Sequence, residues 1–337
     1  MSILNGISFD VEDWFQVENL KEVVSRDDWE SCELRVVQNT TRILELLERY
    51  QTRATFFVLG WVAEKCPELV KEIAERGHEI ASHGYGHELI YKLTPEAFYA
   101  DIRRSKEILE SITGKPIYGY RAPSFSITPE SEWALDVLKN AGFLYDSSIF
   151  PTSFHNRYGW NGAASSPFSF KNGLMELPLS TYRFCGANFP VGGGGYFRLF
   201  PYFLFQFLFR SLNNQGKGVI FYLHPWELDP QQPRMKIRFN YRIRHYINLE
   251  KTEGRLEKLL KSLPFASLAD VAESHFPGRI EILLNSKQNR SAQTTEVIGN
   301  VIFPSFSRNL PPQPASEERE SRTVPDSRSS EEREDAL

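Results

Sequence analysis

The chain has 337 residues, with 39 Lys and Arg against 43 Asp and Glu, a net charge of −4 and 41% hydrophobic residues. That apolar share excludes a chain disordered throughout, and the near balance of charge excludes an electrostatic footprint for nucleic acid. Three scattered cysteines, Cys32, Cys66 and Cys185, are too few for a disulfide framework and are expected as reduced thiols in a cytosolic protein.

Residues 1–9 lack a basic start and a long apolar run, so no secretory leader is expected. Residues 3–10 read as a strand, residues 41–50 (TRILELLERY) as an amphipathic helix, and residues 54–60 (ATFFVLG) as a second strand. A helix over 67–76 stops at Gly77, and a short strand follows at 79–82. Thr94-Pro95-Glu96 starts a helix that stops at Gly114, and Thr128-Pro129-Glu130 repeats the start signal. Residues 117–120, 144–146, 175–179 and 218–224 are further strands. Residues 199–212 are apolar but broken by Pro201, Gln206 and Arg210, which suits a buried helix and not a transmembrane segment. Gly192–Gly195 lacks a following Lys-Ser or Lys-Thr, so it is read as a turn or substrate-facing loop, not a phosphate cradle. Residues 234–245 (RMKIRFNYRIRH) are strongly basic, and either bind an anionic glycan or lipid head group or form a solvated face. The Pro-, Ser- and Glu-rich tail beyond about residue 288 is expected to be disordered.

Strands alternating with helices predict an α/β fold with a mainly parallel sheet, as a closed or nearly closed barrel or an open doubly wound sheet. In such folds chemistry gathers at the carboxyl ends of strands. Those ends carry Asp10-Val11-Glu12-Asp13, His83 and His87 in SHGYGH, Arg121 in YRAP, and His224 in LHPWE. Two histidines four apart need one carboxylate to complete a metal site with open positions for water and substrate. No Glu follows His83, so the base must come from elsewhere, and the acid cluster at Asp10 supplies one.

Taken in order, FDVED, SHGYGH, YRAP and YLHPWE resemble the polysaccharide deacetylase domain, the NodB-homology domain of carbohydrate esterase family four, over about residues 3–227. PVGGGGYFRLFPY and RIRHYINLEKTEGRL further resemble the bacterial branch found at exopolysaccharide and exosortase loci. The resemblance implies a distorted (β/α) barrel of about seven strands. It implies Asp10 as catalytic base, His83 and His87 as metal ligands, and Arg121 as the residue that pairs with the base. It implies the backbone N–H of Ser124, after Pro123, as an oxyanion donor, and His224 as general acid.

The first motif departs from the family, because Val11 stands where the metal carboxylate is usual. Strand alternation puts Glu12 on the face of Asp10, whereas a turn could bring Asp13 inward. Both are therefore candidate ligands. Asp146 is the candidate partner of His224, and Trp226 or Trp160 a candidate sugar-stacking surface. Expected from this are a deacetylase barrel over 1–228, a packed C-terminal extension over 229–287 and a tail over 288–337. Also expected is a divalent metal, zinc first, with cobalt or nickel suiting the same ligands. The expected partner is an acetylated polysaccharide or lipid-linked oligosaccharide, met in the cytoplasm or at the inner face of the inner membrane. The rival functions are another amide or O-acetyl ester hydrolase and a non-catalytic polysaccharide-binding module.

Overall fold

The structure, a computed structural model, describes residues 3–153 and 158–279. The tail expected beyond residue 288 lies outside them. In chain order the elements begin β1 (Asn5–Val11), α1 (Val36–Arg49), β2 (Thr55–Val58), α2 (Gly60–Lys65), α3 (Pro67–Glu75) and β3 (Glu79–Ser82). They continue α4 (Pro95–Thr113), β4 (Gly119–Tyr120), α5 (Trp133–Asn140), β5 (Tyr145–Asp146), β6 (Phe168–Ser169) and β7 (Met175–Glu176). Next come the β8 (Thr181–Phe184) and β9 (Ala187–Pro190) hairpin, α6 (Gly194–Leu199), α7 (Tyr202–Asn214) and β10 (Ile220–Leu223). The last are α8 (Phe239–Tyr246), α9 (Leu249–Ser262), β11 (Phe265–Ala266) and α10 (Leu268–His275).

The sheet runs β10-β1-β2-β3-β4-β5-β7-β6, and β11 pairs with β1. Every pairing is parallel except β6 with β7. β10 and β6 end the path without pairing to each other, so the sheet is a curled half-barrel, in keeping with the distorted (β/α) barrel expected. All seven residues of β1 are buried. This is the signature of a strand covered on both faces, and it places Asp10 at a buried strand end between β10 and β2.

Local signals explain both ends of α4. Thr94 accepts the Ala97 N–H, Pro95 fills the first turn of α4, and Gly114 ends it at φ 65. Helix α1 begins at Val36, five residues before the expected start. Its first amides are satisfied from a distance: the Asp13 carboxylate accepts the Arg35 and Val36 N–H groups at 2.7 and 2.9 Å. No local pattern carries such a cap.

The Gly192–Gly195 run is also corrected. It opens α6, with Gly194 its first residue. The segment expected as one helix over 199–212 is instead the end of α6, a break at Pro201, and α7. Beyond residue 228 the chain returns to the sheet. β11 pairs with Asn5 and Gly6, while Leu268 and Ala269 donate backbone N–H groups to Thr55 and Glu79 on neighbouring strands.

Candidate active site

Asp10 leaves β1 buried and faces Arg121, which follows β4. The guanidinium donates to Asp10 Oδ1 at 2.7 Å and to Ser8 Oγ at 2.8 Å. It also donates to the Ser147 carbonyl and hydroxyl at 3.1 and 2.9 Å. Its carbon lies 4.1 Å from the Phe57 ring centre. A fully buried arginine needs such satisfaction, and here it holds the Asp10 carboxylate in place.

Glu12, two residues on, turns into the same cavity. Its Oε2 lies 2.8 Å from His87 Nε2 and its Oε1 lies 3.1 Å from His224 Nε2. Burial pushes the Glu12 carboxyl up, but His87, His224 and His83 outweigh that and hold it below its ordinary range. One ligand atom each from Glu12, His83 and His87 lies within 4.8 Å of the others. His83 Nδ1 is 2.8 Å from the Arg121 carbonyl, so it carries the proton and leaves Nε2 as a lone-pair donor. Burial and His87 lower the His83 imidazole to about 3, which keeps it neutral. Glu12 Oε2 is buried and meets His87 Nε2 directly. These features fit a divalent cation held by two nitrogens and one carboxylate.

The alternative ligand, Asp13, is corrected. Its carboxylate accepts from the Trp14, Arg35 and Val36 N–H groups and points into the start of α1. Burial raises it to about 6 against those donors. The second half of the histidine motif needs its glycines. Gly84 has φ 73, and a Cβ there would come within 2.7 Å of the Asp101 carboxylate, which accepts the Tyr85 and Gly86 N–H groups. His87 itself takes φ 54, which turns its ring back toward Glu12.

His224 follows β10. Burial opposes its charge, but Glu12, Glu227 and Asp10 prevail and raise it to about 9. Its Nε2 faces Glu12 and stands 3.9 Å from Asp10 Oδ2, and its Nδ1 is 2.7 Å from Glu227 Oε1. Glu227 is the residue that sequence reasoning missed, although it stands in the LHPWE motif. Buried Arg198 donates to it at 2.6 Å and also to the carbonyls of Arg244, His245 and Ile247. Burial would raise Glu227, but Arg198 and His224 bring it down to about 2. Gly194 is required for this: a Cβ there would lie 2.0 Å from Glu227 Oε1.

Asp146 is therefore not the partner of His224. It accepts from the Ser148 hydroxyl at 2.6 Å and pairs with Glu176, whose own Oε1 accepts the Ile149 N–H. Burial and Asp146 raise Glu176 well above its ordinary range, so it is the protonated member. The pair steadies Ser147 and Ser148, which hold Arg121 and the Ala122 N–H. Trp226 is corrected as a sugar platform. Its ring is buried, stacked between His224 and His245 at 5.2 and 4.4 Å, and its Nε1 points to Glu12 at 3.4 Å. Trp160 does not line the cavity; Tyr158 and Tyr196 do. Pro123 opens a short turn in which Ser124 and Phe125 both take positive φ, 51 and 53. Ser124, Asp10, Glu12, His83, His87 and His224 all line one cavity of about 480 Å³.

Residues 27–145 match the polysaccharide deacetylase family, and residues 147–273 match a domain of unknown function, DUF3473. The chain is 33% identical to a peptidoglycan deacetylase of Helicobacter pylori over 156 residues, 42% of this chain and 52% of that one. It is 37% identical to a peptidoglycan-N-acetylglucosamine deacetylase of Bacillus cereus over 100 residues, 30% of this chain and 34% of that one. It thus spans about half and about a third of the lengths of these curated relatives. A solved structure from Mycobacterium smegmatis, named as a candidate polysaccharide deacetylase, shares the fold with a TM-score of 0.51. That likeness is at 21% identity and covers 81% of this chain and 91% of that one. His83, His87 and Arg121 fall in the first matched region, whereas His224, Glu227 and Arg198 fall in the second. Residues 27–145 thus resemble a polysaccharide deacetylase domain and residues 147–273 a DUF3473 domain, and side chains from both regions line the one cavity.

Proposed function

We propose that this protein is a metal-dependent hydrolase that removes N-acetyl groups from amino sugars of a bacterial exopolysaccharide or its lipid-linked precursor. One observation carries the reading: Asp10, a Glu12–His83–His87 cluster and His224 converge on a single cavity, with Asp10 paired to Arg121 and His224 to Glu227. The named relatives, peptidoglycan deacetylases, support the reaction class.

Glu12, His83 and His87 are the residues that would hold the cation, zinc first and cobalt or nickel on the same donors. Bound there, the ion supplies Lewis-acid polarisation and lowers the pKa of water. Arg121 occupies Asp10 Oδ1 and leaves Oδ2 to accept the proton of the attacking water. The water oxygen bonds to the acetyl carbon, and the Ser124 N–H faces the oxyanion that develops. His224, kept protonated by Glu227, gives its Nε2 proton to the sugar nitrogen as the C–N bond breaks. Acetate and a free amine result. We place the activity in the cytoplasm, which the three free thiols support.

The test is acetate release from N-acetylglucosamine oligomers and from O-acetylated glycans, with zinc and with chelator. Release from the N-acetyl substrate, lost on chelation and restored by zinc, is the expected result. Release only from O-acetyl esters replaces the substrate class, and no release from either, with no metal bound, leaves a binding module.

A further inference from the structure

Five of the residues between 234 and 245 are Lys or Arg and none is acidic. They lead into α8. A groove beside that helix is lined by Arg234, Lys236, Arg242, Ile243 and Tyr246, again without a carboxylate. The inner side of α8 faces the catalytic cavity through Asn240, Ile243, Arg244 and Ile247. Its Phe239 is 68% exposed.

Across the same cavity mouth lies Leu199, half exposed at the end of α6. Helix α7 follows and turns Phe203 and Phe207 outward, 74% and 62% exposed. They stand four residues apart, and exposed Arg210 continues the stripe three residues on. The β8–β9 hairpin abuts this helix, because the Tyr182 hydroxyl lies 3.2 Å from Ser211 Oγ. Tyr182 is paired with Phe189, and Phe184 lies two residues along the same face. So the face that meets α7 also carries Phe184 and Phe189, both exposed, with ring centres 6.3 Å apart.

Four exposed phenylalanines on adjoining elements are not a normal scatter of apolar surface. Phenylalanine has no polar atom with which to read a sugar hydroxyl. Rings of this kind beside a carboxylate-free basic groove complement an interface that is apolar below and anionic above. We propose that the face made by α7, the β8–β9 hairpin and the groove beside α8 docks on an anionic lipid bilayer, which holds the cavity mouth at the membrane surface. The cations meet lipid phosphates while the rings enter the acyl boundary. A substrate carried on a lipid would then reach Asp10 without leaving the membrane.

The test is sedimentation of the full chain with vesicles, one set of phosphatidylcholine and one with about one-third phosphatidylglycerol. It does not depend on catalysis. Binding is expected to the anionic set only, and to weaken as salt is raised. The Phe203→Ser, Phe207→Ser double variant is expected to lose about tenfold or more in partitioning. The Lys236→Glu, Arg242→Glu variant is expected to lose binding to the anionic set. Phe203→Trp is expected to shift its emission to the blue on anionic vesicles, which shows the site of insertion in a folded protein. No binding to anionic vesicles overturns the proposal. So does binding that both double variants retain, or a dimer that buries these phenylalanines and ignores vesicles.

Discussion

At the scale of single residues, each reactive group is held in its working state by a buried neighbour. Arg121 holds the Asp10 carboxylate in place, the Arg121 carbonyl orients His83, and Glu12 and Glu227 keep His224 charged. Glu227 is itself paired to Arg198, so its replacement acts twice. Glu227→Gln is expected to cut kcat by about ten- to a hundredfold, as loss of an orienting partner does. It is also expected to cost about 3 kcal/mol of stability, because Arg198 is left buried and uncompensated. Assay and urea melts of the same preparation read both. The Asp146–Glu176 pair makes a contrasting prediction. Since Glu176 already carries a proton, Glu176→Gln imitates its native state and is expected to leave stability within about 1 kcal/mol. Equal destabilisation by Gln and by Ala at that position would contradict the protonated assignment.

At the scale of elements, the strand ends and the helix starts at Thr94 were legible in the sequence, because alternation and capping are local patterns. The site was legible for Asp10, His83, His87, Arg121 and His224, since each stands at the carboxyl end of a strand within a short motif. Glu227 was visible three residues after His224 but was passed over for Asp146, which sits at a strand end without pointing to the cavity. The choice between Glu12 and Asp13 turned on a cap made across 22 residues of sequence. The start of α6 was hidden because glycines are poor helix formers. Their reason is tertiary: Gly194 leaves room for the Glu227 carboxylate, whereas a Cβ on Gly195 would meet nothing within 4 Å. Gly194→Ala is therefore expected to destabilise by about 1–3 kcal/mol and to lower activity, with Gly195→Ala close to wild type. Paired thermal melts and rate assays check this, and equal behaviour of the two variants would contradict it.

At the scale of the whole molecule, the residues after 228 belong to the same sheet and the same cavity as those before. They supply β11 to β1, and the carbonyls of 244, 245 and 247 that satisfy Arg198. A chain cut at residue 228 is expected to fail to fold cooperatively, which circular dichroism melting reads directly. The buried histidines also shape the response to acid. Burial lowers His78 to about 4 and His245 to about 3, both below their unfolded value of 6.5. The unfolded chain then binds more protons between those limits, so stability is present above pH 6.5 and falls as pH falls toward 4. Asp13 and Asp146, raised to about 6, act in the opposite direction, so the imidazole share is read by difference: His245→Gln is expected to lose less stability than wild type, or to gain more, between pH 7 and pH 5 in urea melts.

We propose that Asp10 moves a proton while Glu12, His83 and His87 hold a cation, two roles separable in one preparation. The most direct measurement is metal content and acetate release, side by side, for wild type, Asp10→Asn and His83→Ala. Wild type is expected to bind metal and release acetate. Asp10→Asn is expected to retain metal with release lowered by about a hundredfold or more, and His83→Ala to lose both. An Asp10→Asn protein that holds metal and releases acetate at the wild-type rate would contradict the proposal.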